Sequence, residues 1–124
     1  LWDHTMNVNL KSQFLCARVG IPLLLKSATP VIINMASVNG IVSMSGAAAY
    51  VTSKAAVLGL TKSIAVDYAP TLRCVAVCPG AVNTPMLRED FDQAPDKEQY
   101  MKEIEYIHLL KRASDPDEIA NLIL

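Results

Sequence analysis

An excess of charge of either sign is missing from this chain. Eleven lysines and arginines stand against twelve aspartates and glutamates, for a formal net charge of −1, and the basic residues are scattered. That excludes the electrostatic footprint of a nucleic-acid or anionic-membrane binder. Long apolar runs are missing too: no stretch approaches ~18 continuous apolar residues, so the sequence offers no membrane-spanning helix. Residues 1–25 are broken by Asp3, His4, Lys11 and Arg18 and lack the ordered regions of a signal peptide. A cytoplasmic protein is the expectation. The three cysteines, Cys16, Cys74 and Cys78, cannot all pair internally, and their apolar neighbours suit buried, reduced thiols. Cys74 and Cys78 would stand about 13 Å apart along a strand, too far for a disulfide or a shared metal. His4 and His108 have no ligand-spaced companion, so no metal site is expected.

What is present is apolar: 52% of residues are hydrophobic and 19% charged, the composition of a compact chain with a large buried fraction. Met6, Val8, Leu10, Phe14, Leu15, Val19 and Leu23 recur at three- and four-residue steps, which predicts one long helix from near Asp3 to Leu25, with Pro22 a late bend. Val31–Ala36, short and rich in β-branched residues, predicts a strand buried on both faces of a parallel sheet. Residues 37–46 read as a loop and 47–69 as a helix ended by Pro70. Leu72–Cys78 reads as a second strand, stopped by Pro79-Gly80. Strand, helix, strand in that order implies a right-handed parallel crossover, and ligands of such sheets gather at the carboxyl ends of the strands. Beyond Thr84-Pro85 the sequence predicts a charged connection through Lys97, a candidate lid, then a helix from Glu98 to Leu110. Ser114-Asp115-Pro116-Asp117-Glu118 carries a capping side chain, an early proline and acidic groups, the signals of a further helix start. Two strands and a few helices leave the sheet poorly covered, so residues 1–124 are expected to form a single partial domain, an internal piece of a larger α/β domain.

The chemistry concentrates on Ser37, Tyr50 and Lys54. Tyr50 and Lys54 are four residues apart in the predicted helix, a step of roughly 6 Å that returns to the same face. Ser37 lies just past the preceding strand. A free tyrosine titrates near pH ~10 and is a poor base at neutral pH. A cation about 5 Å from a phenolate favours it by roughly 3 kcal/mol at an effective dielectric of about 20, and by under ~1 kcal/mol in water. Enclosure therefore decides whether such a pair can move a proton to or from an alcohol, with a serine hydroxyl holding the reacting oxygen. Pairs spaced four apart are also ordinary helix-surface decoration, so the pair alone decides little. Tyr68, Tyr100 and Tyr106 have no lysine four places on and read as packing residues.

With these residues in place, the chain resembles the short-chain dehydrogenase/reductase family along nearly all its length. Trp2-Asp3 followed by Val8-Asn9-Leu10 resembles the family's helix bearing its catalytic asparagine. Ile33-Asn34-Met35-Ala36-Ser37 resembles the strand ending in its serine, and Tyr50-x-x-Ser53-Lys54-Ala55-Ala56 its Tyr-x-x-x-Lys helix. Cys78-Pro79-Gly80-Ala81-Val82-Asn83-Thr84 resembles its nicotinamide-side loop, and Asp115-Pro116-x-Glu118-Ile119-Ala120 a later helix start. Val75 stands where the family usually has asparagine, Ala36 replaces the first of a common serine pair, and Ser12 replaces a frequent glycine.

The resemblance implies a Rossmann-like, doubly wound parallel sheet, here lacking its N-terminal dinucleotide-binding half and its last strand. It also implies an NAD- or NADP-dependent oxidoreductase that interconverts a secondary alcohol and a carbonyl. In that scheme Tyr50 is the acid/base, Ser37 orients the reacting oxygen, and Lys54 tunes the phenol and holds the nicotinamide ribose. Asn9 helps hold a water linking Lys54 to solvent, and Pro79, Gly80, Val82 and Thr84 line the nicotinamide. The family's glycine-rich phosphate loop does not occur in this sequence, so the chain alone is expected to bind a dinucleotide poorly. Residues 67–74 with Cys78-Pro79-Gly80 resemble sugar-oxidising members, notably glucose or other aldohexose dehydrogenases; a 3-oxoacyl thioester is the alternative substrate. The family's pattern also implies a small-molecule substrate and a homotetramer built through the helices matching 3–25 and 47–69. A truncated, non-catalytic polypeptide that keeps those association helices is the reading from a different class.

Overall fold

The structure, a computed structural model, describes residues 1–124 and divides into two compact units, Leu1–Cys78 and Pro79–Leu124. The first unit opens with a helical segment in three parts: α1 (Trp2–Met6), a π turn (Asn7–Lys11) and α2 (Ser12–Leu24). The predicted single regular helix is therefore corrected at Asn7–Lys11. Two side chains donate to carbonyls there: Ser12 Oγ to Val8 O at 2.5 Å and Gln13 Nε2 to Asn9 O at 2.6 Å. Such back-bonding competes with the regular ladder and accompanies its widening. Pro22 lies inside α2.

Strand β1 (Val31–Met35) pairs in parallel with β2 (Arg73–Val77), Val31 opposite Arg73 and Met35 opposite Val77. Helix α3 (Ala48–Tyr68) connects them, with a short 3-10 turn at Val38–Gly40 before it. α3 ends where expected, because the residue before a proline is driven to extended backbone, and Ala69 before Pro70 has ψ 146. The core joins Ala17 and Ile21 of α2, Ile64 of α3, and Leu72 and Cys74 at β2, with Leu24, Ile32, Leu60 and Tyr68 packed around them. Each large aliphatic group so buried contributes about 1.5–3 kcal/mol.

Within β1, Asn34 departs from the apolar reading of that strand. It is buried and donates to Thr61 Oγ1 at 2.9 Å, while the threonine hydroxyl donates to Val57 O at 2.8 Å, so neither polar group is orphaned. Along the edge of β1, Gln13 pairs with the backbone: its Oε1 accepts from Met35 N at 3.2 Å and its Nε2 donates to Met35 O at 3.4 Å. The thiols divide. Cys74 is buried, which pushes its pKa up, and Cys78 is half-buried, but Cys16 is exposed, since one helical step from Ala17 carries it outside the buried stripe of α2.

The second unit holds α4 (Pro85–Gln93), α5 (Lys97–Ile107) and α6 (Pro116–Ile123). Helix α4 replaces part of the predicted charged connection. Thr84 caps it, accepting from Leu87 N at 3.5 Å, and Pro85 takes the first turn. Phe91 of α4 meets Tyr100 of α5 edge-on, ring centroids 6.1 Å apart, whereas Tyr106, read from sequence as a packing residue, is 83% exposed. Asp96 caps α5, and α6 begins with a capping box formed by Asp115 and Glu118.

Candidate active site

The residues singled out from the sequence fall in both units. Asn9, Ser37, Tyr50 and Lys54 lie in the first, and Pro79, Gly80, Val82 and Thr84 in the second.

In the first unit the i,i+4 spacing does bring Tyr50 and Lys54 to one face of α3, with Lys54 Nζ 5.7 Å from the centroid of the Tyr50 ring. The same ammonium donates to Met35 O, at the end of β1, at 3.0 Å. Burial holds the Lys54 pKa below the usual lysine value. One of its three N–H donors is thus committed, which leaves two for a ligand. The backbone of Lys54 is itself a packing surface. A Cβ on Gly40 would stand 2.8 Å from both Lys54 C and Lys54 O, so only glycine lets the 3-10 turn seat against α3 there.

Asn9 reaches the same helix. Its Nδ2 donates to Ser53 Oγ at 3.0 Å, and the Ser53 hydroxyl donates to Tyr50 O at 2.7 Å. Ser53 is fully buried, so this relay ties the π turn to the backbone of the tyrosine without exposed intermediates. Ser37 is buried at the end of β1 and caps the 3-10 turn, its Oγ accepting from Asn39 N at 3.1 Å. The structure makes that bond rather than one to the Tyr50 phenol; the serine O–H remains a donor. Ser53, Gly40 and Gln13 were not singled out by sequence as site-building residues. Their partners lie 44, 14 and 22 positions away by number, and no helical or strand periodicity encodes such pairings.

In the second unit, the Pro79–Thr84 loop runs beside residues 108–114. Ser114 N donates to Ala81 O at 2.9 Å and Asn83 N to Ser114 O at 2.8 Å, with Val82 and Ser114 forming a parallel bridge. Ala81 N donates to His108 Nε2 at 2.8 Å, and the imidazole fills the space a Cβ on Gly80 would need. Thr84 spends an oxygen lone pair on the α4 cap and keeps its O–H free. A cavity of about 420 Å³ lies between α4 and α5, lined by Leu87, Arg88, Phe91, Tyr100, Ile104 and Arg112 among others. Arg88 Nε donates to Asn83 Oδ1 at 3.1 Å, and Arg112 is paired with both oxygens of Glu118. Burial, with the charge of Asp90, raises the Tyr100 pKa.

The chain is similar to known proteins over nearly all of its length. A family model described as Enoyl-(Acyl carrier protein) reductase matches residues 1–124. The chain is 43% identical over 123 residues to Dehydrogenase/reductase SDR family member 6 of Danio rerio, covering 98% of this chain and 50% of that protein. It is 46% identical over 104 residues to 2-(R)-hydroxypropyl-CoM dehydrogenase of Xanthobacter autotrophicus, covering 83% and 42%. Ligand-free aldohexose dehydrogenase of Thermoplasma acidophilum superposes with a TM-score of 0.89 at 39% identity, over 98% of this chain and 50% of that one. The chain spans about half the length of the curated relatives it matches, and its small parallel sheet is a partial Rossmann fold. Sequence, fold and relatives agree that the chain belongs to the short-chain dehydrogenase/reductase family, a family of oxidoreductases.

Proposed function

We propose that these residues form the catalytic half of a single-domain NAD- or NADP-dependent oxidoreductase, which interconverts a secondary alcohol and a carbonyl with Tyr50 as acid and base. The observation that carries this reading is the Lys54 ammonium over the Tyr50 ring, partly withdrawn from water. A cation partly withdrawn from water acts on a neighbouring charge more strongly than one in bulk solvent does.

Within the first unit, two unspent N–H groups on Lys54 suit the ribose hydroxyls of a nicotinamide nucleotide; within the second, the Thr84 O–H suits a carboxamide. When bound, the nicotinamide supplies or accepts the hydride. Tyr50 gives its proton to the carbonyl oxygen in reduction and takes it from the alcohol in oxidation. Ser37 donates its O–H to that same oxygen and holds it in place. Lys54 holds the nicotinamide ribose, and Asn9 holds a water that joins Lys54 to solvent. Pro79, Gly80, Val82 and Thr84 line the nicotinamide.

An aldohexose is the favoured substrate, supported by the likeness to the Thermoplasma enzyme. Phe14, Val19 and Leu23 expose apolar surface on α2, which supports a homotetramer, and the absence of any helix long and apolar enough to cross a membrane is compatible with a cytoplasmic setting. The test is to give the intact protein NAD or NADP with aldohexoses, simple secondary alcohols and 3-hydroxyacyl thioesters, and to follow reduced nicotinamide by absorbance. Reduction with an aldohexose is expected. Failure to bind or reduce either nucleotide with every alcohol would refute the assignment.

A further inference from the structure

His108 follows α5, and its ring lies between two backbone groups of opposite kind. Nδ1 is 2.8 Å from Ile104 O, which can only accept, so Nδ1 carries a proton. Nε2 is 2.8 Å from Ala81 N, which can only donate, so Nε2 presents a lone pair. The two contacts together specify one neutral tautomer. An imidazolium would set N–H against N–H at Ala81.

The ring also explains Gly80. An ideal Cβ at that position would lie 2.4 Å from Nε2 and 3.0 Å from Cδ2 of His108. Gly80 is not among the positive-φ residues, so the requirement is for space and not for an unusual backbone. The backbone of Ser114 already holds the middle of the loop through Ala81 O and Asn83 N. His108 supplies the remaining bond, to the amide next to Gly80, across 27 positions of sequence.

We propose that His108 is a positioning residue whose neutral imidazole sets the Pro79–Thr84 loop in the shape that binds the nicotinamide end of the cofactor. The inference rests on the assignment of that loop to the cofactor. It gives the histidine a task that neither metal-ligand spacing nor helix packing suggests.

The experiment measures the dissociation constant of the intact protein for whichever of NADH or NADPH binds more tightly. Loss of a directed bond to the loop predicts about tenfold weaker binding in His108→Ala, with kcat less affected than KM for the cofactor. In His108→Gln the side-chain carbonyl can accept the Ala81 N–H from nearly the same position, and binding should return to within about threefold of the parent. Gly80→Ala, which pushes the ring away, should weaken binding similarly but add little in the His108→Ala background, where there is no ring to meet.

Equal weakness of the alanine and glutamine variants would overturn the inference. So would unchanged binding in His108→Ala while Thr84→Ala still weakens it. If Thr84→Ala is silent as well, the assignment of the loop to the cofactor has failed, and the inference falls with it. Should His108→Ala not fold, ¹⁵N NMR of the parent decides: the ring must be protonated on Nδ1 alone, and a proton on Nε2 overturns the proposal.

Discussion

Replacing Ser53 with alanine isolates the bond that ties the π turn to the tyrosine-bearing helix. The hydroxyl accepts from Asn9 at 3.0 Å and donates to Tyr50 O at 2.7 Å. Tyr50 O still has its helical amide partner after the change, so little is lost on that side. The Asn9 carboxamide loses its acceptor in a half-buried place, where water reaches it incompletely. A lost neutral bond costs about 0.5–1.5 kcal/mol and a stranded donor about 1–3 kcal/mol, so ~1–2 kcal/mol is expected for Ser53→Ala. Asn9→Ala removes the other half of the same bond. In a double-mutant cycle by urea denaturation of the intact protein, the pair should show about 1 kcal/mol of coupling, the double variant being little worse than either single. Losses that add within about 0.3 kcal/mol would refute the relay.

Gly40→Ala forces a Cβ onto the Lys54 backbone at 2.8 Å, and backbone cannot swing aside as a side chain can. A loss of about 1–3 kcal/mol in stability is expected, with turnover reduced because Lys54 is displaced; full stability in denaturation would show that the turn does not press on α3. Glu118 tests the second unit. The Arg112 guanidinium, then the Asp115 amide, hold its carboxyl at about 2 against an ordinary 4.5. The unfolded chain therefore binds more protons between those values, and the carboxylate's stabilisation is complete above 4.5 and lost as pH falls toward 2. A carboxyl ¹³C titration of the folded protein should find the low midpoint, and Glu118→Gln should flatten the acid dependence of α6; a midpoint near 4.5 would contradict the pairing.

How much was legible in the chain varied with the kind of signal. Tyr50 and Lys54 could be read because a helix repeats, and α3, β1 and β2 formed within a residue or two of their apolar patterns and proline stops. The π turn was not legible, because the apolar spacing of Met6, Val8 and Leu10 does not record one extra residue per turn. Helix α4 hid behind its charges, although Thr84-Pro85 was a usable start and Leu87 with Phe91 a four-residue apolar step. Cys16 and Tyr106 were expected to be covered, yet composition cannot say which side of a helix meets the core. Gln13 on the edge of β1, Ser53 under Asn9 and His108 beside Gly80 are tertiary pairings whose only sequence trace is residue type.

The account turns on Tyr50 as the proton carrier, and the most direct measurement is steady-state turnover of Tyr50→Phe in the intact protein, alongside its cofactor dissociation constant. Removing one hydroxyl should lower kcat by about 100-fold or more and leave nucleotide binding near that of the parent. Substantial residual turnover would contradict the assignment.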